Sequence, residues 1–204
     1  MENVKLDNAS TYVNYDFSDI MAISDHNNRK LYINGEIDEL VADEIVCKIL
    51  AFNAEDKNKK GKKKPILLYC TSVGGSVIDG FSIIDAILNS AVPVYVINLA
   101  YQYSMGFLIG LAGHKRYAMP NATFLLHDGQ NMIWDSSAKC ADQLKFQEKR
   151  EKRIKDYVLA HSKLTEKQYD DNYRVEFYTF ADEAKKFGFT DYIIGVDCSI
   201  EDIL

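Results

Sequence analysis

The sequence predicts an α/β domain. Short, almost wholly apolar runs suit strands buried on both faces, and amphipathic segments with apolar residues at helical spacing separate them. Their order is strand, helix, strand, helix, strand, helix, which calls for parallel strands joined by crossovers. At 204 residues, with 47% hydrophobic and 26% charged residues, the chain has ordinary globular composition and the length to bury a core.

Residues 1–28 are polar and rich in Asn and Asp, with scattered Tyr12, Tyr15 and Phe17 and no clean period. They read as an N-terminal arm or loop, ordered only where something packs on it. Residues 29–204 read as the single folded domain, without internal repeat or low-complexity segment. Leu31 to Gly35 is a short strand ending at a glycine turn. From Ile37 the apolar positions 37, 40, 41, 45 and 49 form a helical stripe. Asp38 and Glu39 sit near its positive end. The lysine run 59–64 is a solvated loop, or at most a dock for an acidic partner. Pro65 to Cys70 is a buried strand, and the turn Thr71-Ser-Val-Gly-Gly-Ser-Val77 leads into a helix over 77–90. Val94 to Asn98 is the next strand, followed by Ser104 and an apolar helix ending near Gly113. Arg116–Met119 and Thr123–His127 are strands on either side of Pro120-Asn121. The segment 137–162 is the longest helix, polar all round in its middle. Leu144 and Phe146 at one end, and Ile154, Tyr157 and Val158 at the other, would anchor it while it projects into solvent. Glu148/Lys152 and Glu151/Lys155 are stabilising i,i+4 pairs. A helix from Ala181 closes at Gly188, and Tyr192–Val196 is the last strand.

A net charge of −6 leaves no basic surplus for nucleic acid. Cys47, Cys70, Cys140 and Cys198 lie far apart without metal-type spacing, which favours a reduced, cytoplasmic chain. The N-terminus lacks the pattern of a signal peptide, and no apolar run is long enough to span a membrane. His26, His114 and His161 have no obvious ligand partners, so neither a metal nor a cofactor is expected.

Three features can converge beyond the carboxyl ends of the strands: Gly74-Gly75, Ser104 and His127. Adjacent glycines let backbone N–H groups face a substrate. Ser104 stands at a helix mouth, where the Met105 N–H could join them as an oxyanion hole. His127 would take the serine proton, needing a carboxylate to fix its tautomer. Singly, each has a commoner explanation: a turn, a helix cap, a structural histidine. Their joint order raises the case for catalysis.

The segments Thr71-Ser-Val-Gly-Gly-Ser, Tyr103-Ser-Met-Gly, Ala112-Gly-His-Lys-Arg-Tyr-Ala-Met-Pro-Asn, Leu126-His-Asp and Ala181-Asp-Glu-Ala-Lys-Lys-Phe-Gly-Phe-Thr-Asp resemble, in order and spacing, those of the Clp protease proteolytic subunit (ClpP) family of serine peptidases. The resemblance runs from about residue 30 to 196 and points to a divergent or phage-type member. It implies a ClpP/crotonase-like fold of repeated β-β-α units, with helix 137–162 as a projecting handle that interlocks stacked homo-oligomeric rings. It implies a serine endopeptidase that cleaves peptides or unfolded proteins through an acyl-enzyme, alone or with an ATPase unfoldase partner. Ser104 would be the nucleophile, His127 the base, and the N–H groups of Gly74, Gly75 and Met105 the oxyanion hole. The family's triad aspartate falls on Glu176, with Asp170 and Asp171 as rivals if a short gap intervenes; Asp128 abuts the base but points elsewhere. Residues 130–134, with Gln130, Met132 and Trp134, would pair with extended substrate by β-augmentation.

Several positions depart from the family. Tyr101-Gln102-Tyr103 and Phe107 replace small residues around the serine, so aromatics are expected to crowd it. Val73 replaces the proline of the glycine turn, and the N-terminal arm is unlike the family's axial-loop segment. The alternatives are a catalytically silent ring subunit and a crotonase-like acyl-CoA-processing enzyme.

Overall fold

The two apolar runs around Leu68 and Val96 become the central strands of a seven-stranded sheet. The computed structural model describes residues 16–129 and 133–203. The strands are β1 (Lys30–Ile37), β2 (Ile66–Gly75), β3 (Val94–Tyr103), β4 (Lys115–Ala118), β5 (Thr123–Leu126), β6 (Phe177–Phe180) and β7 (Tyr192–Ile193). Between and around them run α1 (Phe17–Asn28), α2 (Glu39–Glu55), α3 (Val77–Leu88), α4 (Met105–Leu111), α5 (Ser137–His161), α6 (Glu166–Tyr173) and α7 (Ala181–Lys186). Strands β1, β2, β3, β4 and β7 pair in that order, all parallel.

Alternation sorts the strand side chains onto two faces. Leu31, Ile33, Ile66, Leu68, Cys70, Val94 and Val96 join Ile45, Ile49, Ile84, Ile87 and Ile109 of the helices in the main core. Leu67, Ile97 and Tyr117 face the other way and pack with Ile194 and Ile203 of the C-terminal segment in a smaller cluster.

Strand β3 forks. Its first half, Tyr95–Asn98, pairs with β4, and its second half, Tyr101–Tyr103, pairs with β5. Both β2 and β3 run further than the apolar runs alone predict, β2 through the glycine pair and β3 up to Ser104. Strand β5 is then flanked on its other side by β6, antiparallel. The fork decides where the chemistry-bearing residues lie.

Four elements differ from the sequence expectations. The second half of the expected arm is helix α1, set by a capping box between Asp16 and Asp19 and ended by Arg29 at φ 54°. Buried Arg29 fixes that junction by donating to both carboxylate oxygens of Asp56, at 2.6 and 2.7 Å. Helix α6, opened by a Thr165/Gln168 capping box, and strand β6 fill the stretch before α7. Helix α5 is anchored at its C-terminal end alone: Ile154 and Val158 are buried, whereas Leu144 and Phe146 are exposed. Its lysines also pair differently from the expected Glu148/Lys152 and Glu151/Lys155: Lys152 turns to Asp156, the i,i+4 neighbour on its other side, and Lys155 to Glu166 and Asp170 of α6. Among the described residues no helix is long and apolar enough to cross a membrane.

Candidate active site

The β3–α4 junction places Ser104. The serine stands in the N-cap position of α4 with φ 52° and ψ −120°, and its side chain makes no capping hydrogen bond. A positive φ at a residue with a Cβ is costly and persists only where the surroundings enforce it. Here they do. The Ser104 N–H donates to the Leu125 carbonyl at 3.1 Å, and the Ser104 carbonyl accepts the Leu108 N–H at 3.2 Å. Beneath α4, the buried Gln102 and Ser72 lie close against Gly110 and Gly106.

The glycine turn packs directly on this junction. Gly74 has φ 103°, and a Cβ built on it would lie 2.7 Å from the Ser104 Cβ and 3.1 Å from the Met105 N. Gly75 has φ 145°, and its Cβ would fall 2.2 Å from the Ile37 carbonyl oxygen. Both positions therefore need glycine, one for approach to the serine and one for approach to β1. The buried Ser72 hydroxyl donates to the Gly35 carbonyl at 2.6 Å and accepts the Gly74 N–H at 3.0 Å. This corrects the sequence expectation at Gly74: its N–H is already bonded, and what it contributes is the absence of a side chain.

The fork then brings the histidine. Register pairs Tyr103 with Leu125, which sets Ser104 level with Leu126 and brings His127, the residue just past the end of β5, to the same end of the sheet. Ser104 and His127 line one pocket of about 60 Å³ together with Met105, Phe107, Leu108 and Ile154. On the far side of β5, Leu126 pairs with Phe177 in antiparallel register, which puts Glu176 opposite His127. His127 Nδ1 lies 3.1 Å from Glu176 Oε1. The His127 contact first, and then the neighbouring Tyr178 phenol, hold the Glu176 carboxyl below its ordinary range. The rival carboxylates are engaged elsewhere: Asp170 pairs with Lys155 at 2.7 Å and Asp171 with Lys167.

Phe107 lines the pocket, but its ring is anchored in the core against Phe189, edge-on with centroids 4.7 Å apart. Tyr101 and Tyr103 do not crowd the serine as expected. Tyr103 turns its ring toward Tyr178 and its hydroxyl to Thr123 Oγ1, 2.9 Å away. Of the expected substrate-contacting residues, Gln130 and Met132 lie outside the described residues, and Trp134 is 94% exposed just ahead of α5. The other histidines have local partners: His26 with Glu55, His114 with the Val94 N–H, and His161 with the Tyr157 carbonyl. Among the described residues no group of three or more His, Cys, Asp or Glu side chains could hold a metal ion. Ser72 and Tyr178 are contributors that the motifs alone do not single out. The signal for Tyr178 was the aromatic run Phe177-Tyr-Thr-Phe180, a short strand pattern.

The sequence pattern of the Clp protease family matches residues 16–197, so the match contains every element of this site. The chain belongs to the Clp protease family. It is similar to the ATP-dependent Clp protease proteolytic subunit 1 of Rhodopirellula baltica, 28% identical over 207 residues that cover 97% of this chain and 87% of the relative. It is also similar to the ATP-dependent Clp protease proteolytic subunit 2 of Tropheryma whipplei, 31% identical over 168 residues that cover 81% of this chain and 90% of the relative. Subunit 1 of Frankia casuarinae is 28% identical over 82% of this chain and 77% of that relative. Family membership selects among the chemistries that the junction allows.

Proposed function

We propose that this chain is a serine endopeptidase in which Ser104 is the nucleophile, His127 the general base and Glu176 the carboxylate that orients the base. The observation that carries the reading is the state of Ser104: at a helix mouth where a serine ordinarily caps, it holds a positive φ and makes no capping bond. A sharp, strained strand-to-helix turn is how a fold presents a serine hydroxyl at the top of a sheet.

The reaction follows from these placements. Glu176 on Nδ1 selects the tautomer with the proton on Nδ1, leaving Nε2 to take the Ser104 proton as Oγ attacks the peptide carbonyl. Charge develops on the carbonyl oxygen. The N–H of Met105, the first residue of α4, has no partner within the helix. The Ile37 carbonyl accepts the Ser76 N–H at 2.8 Å, so the Gly75 N–H, one residue earlier along the strand, points away from β1. These two N–H groups are the oxyanion donors in this reading. His127 then returns the proton to the leaving amine, and water enters by the same route in reverse to release the acyl group from Ser104. The apolar pocket beside Ser104 receives a substrate side chain. Its volume of about 60 Å³ is well below the ~150 Å³ that admits a benzene-sized ring, so small aliphatic side chains are the preferred fit.

The half-anchored helix α5, with Leu144 and Phe146 exposed on its projecting end, supports assembly with further copies of the chain into a homo-oligomeric, stacked ring. Residues 130–134 would pair with extended substrate. The relatives' names make a Clp-type ATPase the partner to test. The reading is tested by treating the assembled protein with a fluorophosphonate probe and following hydrolysis of unstructured peptides. Labelling at Ser104, lost in Ser104→Ala together with turnover, is the expected result. Peptide turnover that survives Ser104→Ala would sink it.

A further inference from the structure

We propose that Tyr178 is a positioning residue for this reaction: its phenol, on the same sheet face as Glu176 and propped by Tyr103, holds the Glu176 carboxylate against His127. The inference rests on the peptidase reading above and adds to it a residue outside the triad. It begins from a weakness in the site. Glu176 is 59% exposed, as against 23% for His127. A glutamate on the surface, with one more rotatable bond than aspartate, loses more freedom when it is fixed, and water screens its attraction to the imidazole. Something must hold it.

The register of the sheet supplies the holder. Leu125 pairs with Tyr103 on one side and with Tyr178 on the other. Residues two apart on a strand share a face, so Tyr103, Leu125 and Tyr178 form one row across β3, β5 and β6. The adjacent row on that face holds His127 and Glu176. Tyr178 is thus the i+2 neighbour of Glu176 and the diagonal neighbour of His127, within the reach of a long aromatic side chain. The backbone fixes the pair further, with the Tyr178 N–H donating to the Glu176 carbonyl at 3.1 Å. The Tyr178 ring meets Tyr103 edge-on, centroids 5.6 Å apart with an 83° angle between planes. Tyr103 is itself tethered through its hydroxyl to Thr123, and its ring meets that of Tyr101 at a tilt, centroids 5.2 Å apart. A chain of contacts therefore runs from the residue before the nucleophile, through two tyrosines, to the carboxylate behind the base. Placed beside Glu176 on that face, the phenol is the donor we assign to the ionised carboxylate, and a hydrogen bond to a charged acceptor is stronger than one between neutral groups.

The test compares wild type, Tyr178→Phe, Glu176→Gln and the double variant in the assembled protein. It reads kcat and KM on a fluorogenic peptide and the rate at which a fluorophosphonate labels Ser104. Tyr178→Phe keeps the ring on Tyr103 and removes one donor, so the fold is undisturbed. Its kcat should fall about threefold to tenfold with KM unchanged, the effect of one hydrogen bond to a partly exposed charge. In the Glu176→Gln background the same change should cost nothing further, because the group it positions is gone. Tyr178→Phe at wild-type kcat, or an equal loss in both backgrounds, would overturn the role of Tyr178 and leave the peptidase reading intact. A wild-type Ser104 that resists the probe would overturn the peptidase reading, and the Tyr178 role with it.

Discussion

Two strand-to-helix junctions in this molecule carry the same sequence signature and end in opposite states. After β2, Ser76 takes φ −60° and ψ 122°, and its hydroxyl accepts the Asp79 N–H at 3.4 Å. After β3, Ser104 takes φ 52° and ψ −120° and caps nothing. In the first the extended backbone aims the side chain down the helix axis, where the free N–H groups lie. In the second the left-handed backbone swings it off the axis and toward the pocket that it shares with His127. The residue type does not separate a cap from a candidate nucleophile. The backbone does, and neighbours distant in sequence set the backbone.

The sharpest break between the two is expected in turnover. Ser104→Ala should lower peptide hydrolysis by about 10⁴- to 10⁶-fold, as when a triad nucleophile is removed. Ser76→Ala should leave hydrolysis near wild type. Steady-state kinetics on the two variants, at matched assembly state, decide it. Equal effects at the two serines would erase the distinction.

Much of this was legible in the sequence. The order of buried strands and amphipathic helices gives the α/β class, and Gly74-Gly75, Ser104 and His127 each follow or end a strand. What could not be read there depends on pairing across the chain. Strand β6 has only four residues and a polar helix before it, and it is a strand because β5 offers a partner. Without β6 in place, nothing chooses between Glu176, Asp170 and Asp171; with it, register puts Glu176 opposite His127. The fate of the Ser104 hydroxyl was equally hidden, since its φ follows from the Leu125 carbonyl and the packing of Gly74. Helix α1 is a different case. Its capping box was in the sequence, as Asp16 and Asp19, and the lack of an apolar period concealed it.

The next effect in size comes from the glycine that links the two junctions. Gly74→Ala puts a Cβ 2.7 Å from the Ser104 Cβ at a φ of 103°. The serine must shift, and a displacement near 1 Å at a reacting atom costs about 100-fold in rate. Gly75→Ala meets the Ile37 carbonyl oxygen at 2.2 Å, so it should cost stability as well as displace the N–H that serves as an oxyanion donor. Kinetics and denaturant unfolding of the pair should therefore differ in degree, both variants losing kcat and Gly75→Ala, with the closer backbone clash, losing more of the midpoint.

Glu176→Gln should cost about 10- to 100-fold in kcat, less than the ~10⁴ seen where the orienting carboxylate is fully buried, because Glu176 is 59% exposed. Asp170→Asn and Asp171→Asn should retain turnover, since these carboxylates pair with Lys155 and Lys167 and the one on His127 is Glu176. The pH dependence has a definite sign. A carboxyl held below its ordinary range by His127 and Tyr178 contributes to the native arrangement above the unfolded pKa of about 4.3. That contribution is lost as pH falls through the lower folded value. Removing the Tyr178 donor should move this loss to higher pH, which a titration of stability for Tyr178→Phe would read.

The smallest effects sharpen the comparison most, because they separate stability from catalysis at the same two residues. Replacing Ser76 by Ala removes a cap and should destabilise the fold by about 1 kcal/mol. Replacing it by Gly should cost only a few tenths. At Ser104 the order reverses. A glycine there relieves the left-handed backbone and surrenders no capping bond, so Ser104→Gly should stabilise the fold by about 1 kcal/mol while abolishing turnover. Denaturant midpoints at constant m-value measure both. A Ser104→Gly protein that is less stable than wild type would mean that the hydroxyl holds the helix after all, and the two junctions would then differ in geometry alone.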